Sequence, residues 1–267
     1  MAIKNPHHIK LLQSISELEK SLLSKRIGVD LHPPFLKGGQ EGDFRRLKEI
    51  QWVQKYLGTD KIYHGLSTKQ IKDLAKTFVK ENDLNNQDTI KLLNSLYQKG
   101  ESYTELALAA TILSLSKNLL QNFDPQNLDL WLNYPKGWAE NDVLCQSNFG
   151  SDILLSNWSN WKKTLKEFNK SNNVNKQRAS LVLLTKSVRQ SDDSRLSEIA
   201  FANIENLKGE NDILITKAVS WLLRSLTTFH KDEVLKYLED NKESLPKIAY
   251  REALSKALTG RKYNHKK

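Results

Sequence analysis

Apolar positions in this chain recur with helical period, in segments of helix length separated by short polar breaks. The pattern predicts helices over 9–28, 44–57, 68–81, 87–98, 102–120, 138–148, 151–168, 175–190, 194–206, 211–228, 231–240 and 246–258. Several open on a capping residue: Ser67 or Thr68, Asn86, Ser102 and Ser194. Between the first two helices runs Leu31-His-Pro-Pro-Phe-Leu-Lys-Gly-Gly-Gln-Glu-Gly-Asp43, whose prolines and glycines exclude a helix and mark a surface insertion over 31–43. No Gly-Lys-Ser/Thr follows those glycines, so the insertion is no phosphate-binding loop. Amphipathic pairs repeating at about 35–45 residues predict an all-α fold, a right-handed α-α superhelix of HEAT/ARM-like repeats. One domain is expected over 1–267, ending in a basic tail over 260–267.

Composition narrows this picture. The chain has 267 residues, 39% hydrophobic and 27% charged, an ordinary globular balance. Its 11 glycines and 6 prolines are too few for the frequent turns of an all-β fold. The lone Cys145 excludes an internal disulfide framework, and no apolar run approaches membrane length, so a soluble cytoplasmic protein is expected. The six histidines show no metal-ligand spacing, and no metal or cofactor is expected. A net charge of +10 favours a polyanionic partner, nucleic acid above all.

Three helices depart from simple amphipathic logic. In 211–228 the stripe Ile215, Ala218, Val219, Leu222, Leu223 and Leu226 forms one apolar face, and Trp221 stands off it beside Lys217 and Arg224. That indole either packs on the next repeat or faces a ligand. In 138–148, Trp138, Asp142, Cys145 and Phe149 share a face. A carboxylate within an apolar stripe must be hydrogen-bonded, charge-paired or set on a cavity wall. Arg178 precedes the all-round apolar run Leu181-Val-Leu-Leu184, where it either snorkels or partners Asp142. Around it, residues 159–191 hold Lys162, Lys163, Lys166, Lys170, Lys176, Arg178, Lys186 and Arg189 against Glu167 alone, a local field suited to phosphates.

Four segments resemble the DNA alkylation repair family, the HEAT-like-repeat alkylpurine DNA glycosylases. Trp138-Ala-Glu-Asn-Asp142 is similar to its Trp-x-x-x-Asp, Gln177-Arg-Ala-Ser-Leu181 to its Gln-Arg-Ala helix, Thr216-Lys-Ala-Val-Ser-Trp-Leu-Leu-Arg224 to its Lys-Ala-x-x-Trp-x-Leu-Arg, and Arg251-Glu-Ala-Leu254 to its terminal Arg-Glu-Ala. Upstream, Tyr56-Leu-Gly-Thr-Asp-Lys-Ile-Tyr-His-Gly65 resembles the family's Tyr-Leu…Gly segment. The acidic residue that often follows the family's first Trp is Ala139 here.

The resemblance implies Asp142 as the catalytic carboxylate, Trp138 and Trp221 as aromatic walls of the lesion site, and Arg178 as support for the carboxylate and contact for the DNA backbone. Lys162, Lys163, Lys176, Lys186, Arg189, Lys217, Arg224 and Arg251 are the expected DNA-contacting cations. The implied partner is double-stranded DNA carrying alkylated purines, bound by a monomer with no membrane and no obligate protein partner. The implied reaction is monofunctional glycosylase chemistry that leaves an abasic site. A catalytically silent DNA-binding relative and a protein-interaction scaffold are the alternatives.

Overall fold

The computed structural model describes residues 4–27 and 51–263. The 31–43 insertion, the first part of the 44–57 helix and residues 264–267 of the basic tail lie outside the described residues. The helices are α1 (Pro6–Ile27), α2 (helical over 51–57), α3 (Thr68–Asn82), α4 (Asn86–Lys99), α5 (Tyr103–Leu115), α6 (Lys117–Gln121), α7 (Gln126–Trp131) and α8 (Trp138–Asn148). They continue with α9 (Ser151–Ser156), α10 (Trp158–Asn169), α11 (Val174–Gln190), α12 (Ser194–Leu207), α13 (Ile213–Leu226), α14 (Lys231–Asp240) and α15 (Lys247–Thr259). Among the described residues the only strand-like pairing is an isolated bridge between Ile62 and Ser102. No described helix is long and apolar enough to cross a membrane.

Local chemistry sets the helix starts. Ser67 and Gln70 form a reciprocal capping box on α3, and Ser102 and Glu105 form one on α5. The caps expected at Asn86 and Ser194 sit one residue earlier. Asn85 accepts from the Asp88 amide, and Asp193 from the Arg195 amide. Two segments expected as single helices are broken. The 102–120 segment ends at Ser116, whose amide turns back to the Ile112 and Leu113 carbonyls. The 151–168 segment breaks at Asn157, which leaves helical geometry at φ −132°, ψ 49°. Helix α7, at six residues, is too short to show a period and was not expected.

Contacts gather the chain into two compact units: Met1–Leu119 with Tyr134–Glu140, and Leu120–Asn133 with Asn141–Lys267. In the first, α5 packs on α3 and α4, and α4 on α1. A buried polar chain pins α1, because His8 joins Ser95 through Nδ1 (2.8 Å) and Glu105 through Nε2 (2.7 Å). Burial pushes the Glu105 carboxyl up. Hydrogen bonds from His8 and from the side chain and backbone of Ser102 outweigh it and hold the carboxyl below its ordinary value.

The second unit has two rows. Helices α9, α11, α13 and α15 pack successively on one another, and α10, α12 and α14 cover them from one side. The stripe Ile215, Ala218, Val219, Leu222, Leu223 and Leu226 is fully buried, as is the run Leu181–Leu184. Each buried leucine stabilises by about 1.5–3 kcal/mol relative to exposure. Polar groups inside are paired across helices: Asn169 of α10 donates to Ser180 Oγ (3.2 Å) and to the Asn203 carbonyl (3.1 Å), and Asn203 donates to the Ser180 carbonyl (3.0 Å).

Candidate active site

In the second unit, α8 brings Asp142 to Arg178 of α11. The guanidinium meets the carboxylate edge-on, with Nε donating to Oδ1 at 2.8 Å and Nη2 to Oδ2 at 2.7 Å. Arg178 Nη1 donates to the carbonyl of Leu214 in the first turn of α13, so one arginine links three helices. The Arg178 side chain is 5% exposed and that of Asp142 12%. The Asp142 side chain is therefore not fully sealed from solvent, and Arg178 behaves as its partner, not as a snorkelling cation.

Burial is the largest influence on Asp142 and pushes its carboxyl above the ordinary aspartate value, against the hydrogen bonds and charge of Arg178. One turn on, Cys145 is fully buried. Burial and then the Asp142 charge raise its thiol well above the usual range, so it stays protonated and is no nucleophile. The face predicted from Trp138, Asp142, Cys145 and Phe149 thus runs from half-open at its start to sealed at its end.

The open face of α13 carries Leu214, Lys217, Trp221 and Arg224, while the rest of the helix middle is buried. Leu214 and Trp221 are seven residues apart, two turns along one face. The half-buried Trp221 therefore rises from the same side of α13 that Arg178 grips. Lys217 is exposed beside it. Arg224 is held by Glu252 (3.6 Å) and Ser220 Oγ (3.4 Å). Burial lowers its pKa first, Glu252 and Tyr263 oppose this, and the positive charge of Arg189 on α11 adds to the lowering.

Glu252, from the Arg251-Glu-Ala segment, was not singled out as a sequence. It is 4% exposed and accepts from Ser220 Oγ (2.6 Å) and Tyr263 Oη (3.2 Å), with Lys262 at 3.3 Å. Burial raises its carboxyl; Ser220, Lys262 and Arg224 more than reverse this. Arg251 itself is exposed along a groove of about 400 Å³ lined also by Tyr250, Leu254, Leu258, Lys262 and Tyr263.

The remaining expected DNA contacts fall in different places. Arg189 is exposed and Lys186 half-buried on α11, the latter reaching the Ser147 carbonyl at 3.4 Å. Lys176 is committed to Asp129 at 2.6 Å. Lys162 and Lys163 are exposed on α10, in the covering row, and Lys163 lies 3.9 Å from Glu167. The cationic window 159–191 is therefore shared between two rows. Among the described residues, no three His, Cys, Asp or Glu side chains gather as a metal-holding group.

In the first unit, Trp138 opens α8. Its indole N–H donates to the Tyr56 carbonyl at 2.7 Å, and its ring meets Tyr56 edge-on with centroids 5.5 Å apart. Gly137 makes this seat possible, since a Cβ there would stand 2.2 Å from the Leu57 carbonyl oxygen. Gly58 has φ +70°, a conformation that favours glycine. Beneath them the fully buried Glu140 accepts from the Thr59 hydroxyl and, at 2.6 Å, from the Lys136 amide. These contacts give Tyr56-Leu-Gly-Thr59 its role of fixing the start of α8. In the sequence this segment stood out only through its resemblance to the family's Tyr-Leu…Gly motif, and Gly137 was not singled out.

Successively packed helices, with Asp142 of α8 gripped by Arg178 of the inner row, define a helical-repeat protein with a largely buried ion pair where α8 meets α11. A family profile described as "DNA alkylation repair enzyme" matches residues 42–257, and the chain belongs to that family. A solved structure described as a "predicted DNA alkylation repair enzyme from Enterococcus faecalis" superposes with a TM-score of 0.64 at 16% identity. The match covers 79% of this chain and 95% of that one, and shows the shared fold. A search of curated proteins finds no match.

Proposed function

We propose that this protein is a monofunctional DNA glycosylase that hydrolyses the N-glycosidic bond of N3- or N7-alkylated purines in duplex DNA, leaving an abasic site. The observation that carries the reading is Asp142: a carboxylate with both oxygens held by one guanidinium edge of Arg178, raised by burial, on a side chain that is not fully sealed from solvent.

A purine alkylated at N3 or N7 is a cation. When its glycosidic bond breaks, the bonding electron pair goes to the base, which leaves neutral and needs no proton from the enzyme. Positive charge then develops on the sugar. Asp142 stabilises that oxocarbenium-like cation and orients the water, whose oxygen bonds to the sugar carbon and whose proton goes to solvent. A carboxylate about 4 Å from a developing unit charge supplies about 4 kcal/mol at an effective dielectric near 20, before the opposing charge of Arg178 is counted. Trp221 and Trp138 take the aromatic-wall roles, each contributing about 0.5–2 kcal/mol towards a cation. Lys217, Arg224, Arg189, Lys186 and Arg251 supply phosphate contacts. The protein acts as a cytoplasmic monomer with no obligate partner.

The complete pairing of Asp142 with Arg178 also favours a second reading, a DNA-binding relative in which the pair only links helices. One assay separates the two. Purified protein incubated with methylated duplex DNA releases free methylpurine if it is the glycosylase, and binds without release if it is the silent relative.

A further inference from the structure

Trp52 is the most exposed large hydrophobic side chain among the described residues, at 65%. It sits on α2 one turn before Tyr56, itself 59% exposed, and the two rings stack nearly parallel, 4° apart in plane with centroids 5.6 Å apart. Such a pair contributes little to a core, because both rings keep most of their surface in water. It is nevertheless firmly mounted. The Tyr56 carbonyl receives the Trp138 indole N–H, the Tyr56 and Trp138 rings meet nearly perpendicular, and Gln54 ties α2 forward through its side-chain donation to the Lys61 carbonyl at 2.8 Å. Three aromatic rings therefore run in series, Trp138 to Tyr56 to Trp52, and the series ends on an indole with about two thirds of its surface open. Lys55, between the two stacked residues in sequence, is exposed beside them.

We propose that the open face of Trp52 is a stacking platform for an unpaired nucleobase of the bound DNA. The geometry suits a planar ring, because a third ring laid on the indole continues a parallel stack that Tyr56 already begins. In an intact duplex both faces of every base are covered by its neighbours. A face becomes available only where pairing or stacking is lost, and extrusion costs least for a base without a partner. The proposal rests on the glycosylase reading for the source of such a base: removing an alkylated purine orphans the base opposite. The inference lies outside that reading's chemistry, since Trp52 takes no part in breaking the glycosidic bond.

The test uses the full chain and three labelled duplexes of one length: fully paired, with an abasic analogue opposite a normal base, and with abasic analogues on both strands at that position. Affinities are measured by fluorescence anisotropy for the wild type, Trp52→Ala and Trp52→Phe. The wild type is expected to prefer the duplex with the orphaned base over the doubly abasic one. Trp52→Ala removes that preference by about ten-fold, corresponding to about 1.4 kcal/mol of stacking, and leaves the fully paired duplex unaffected. Trp52→Phe retains most of the preference. Equal loss on all three duplexes, or no change on any, overturns the platform while methylpurine release by the wild type continues. A wild type that neither binds these duplexes nor releases methylpurine overturns the glycosylase reading and the platform together.

Discussion

Arg178 holds both oxygens of Asp142, at 2.8 and 2.7 Å, and its third donor nitrogen is taken by the Leu214 carbonyl. One side chain thus fixes where the carboxylate points and how α8, α11 and α13 meet.

Asp142→Asn keeps the side chain's shape and removes its charge. Binding of methylated duplex should persist while single-turnover release of 7-methylguanine falls by about 10²–10³-fold, the scale of about 3–4 kcal/mol of lost transition-state stabilisation. Release at the wild-type rate would remove Asp142 from the chemistry.

Arg178→Ala leaves a mostly buried carboxylate without its partner. Breaking such a pair costs about 3–5 kcal/mol, and urea unfolding should show a loss of that order. Combining Arg178→Ala with Asp142→Asn should cost less than the sum of the two, because the stranded charge is gone. Additive losses would show that the two groups do not interact.

The raised Asp142 carboxyl makes activity and stability respond to pH with opposite signs. Burial is the main cause and Arg178 opposes it. In the proposed mechanism excision requires the ionised form, so its acid limb should lie above the ordinary aspartate value. For stability, a folded-state value above the unfolded one favours the protonated group below the unfolded value. That contribution is lost as pH rises through the folded value. Relative to Asp142→Asn, the wild-type Tm should therefore fall over the window in which excision rises. A Tm difference flat with pH, or an acid limb at the ordinary value, would contradict the shift.

Gly137→Ala places a methyl group 2.2 Å from the Leu57 carbonyl oxygen, and backbone must move to admit it. A loss of about 1–3 kcal/mol is expected, with a change in tryptophan fluorescence as the Trp138 indole leaves Tyr56. An unaltered Tm would mean that the seat around Trp138 is looser than this contact implies.

If Lys217 contacts phosphate, Lys217→Gln should reduce the slope of log affinity against log salt by about 0.9, uniformly across DNA sequences. An unchanged slope would take Lys217 out of the interface.

Much of the local organisation was legible along the chain. Helix α8 has the expected bounds, Trp138–Asn148, because Trp138, Asp142 and Cys145 recur at helical spacing on one face. The buried stripe of α13, with Trp221 left off it, follows for the same reason. Short elements were less legible. Helix α7 spans under two turns, and the breaks at Ser116 and Asn157 rest on single backbone conformations that leave the apolar period uninterrupted.

What the sequence determined by itself is periodic and compositional: an all-helical repeat chain, strongly basic, with the motifs of its family in order. Tertiary packing alone chose between the alternatives left open at Asp142 and Arg178, since 36 residues separate them and only the meeting of α8 with α11 brings guanidinium to carboxylate. Packing also divided the cationic window 159–191 between α10 in the covering row and α11 in the inner one. A helix's period says which of its faces is apolar, but which neighbour covers that face, and so where the opposite face looks, depends on contacts between residues far apart in the chain.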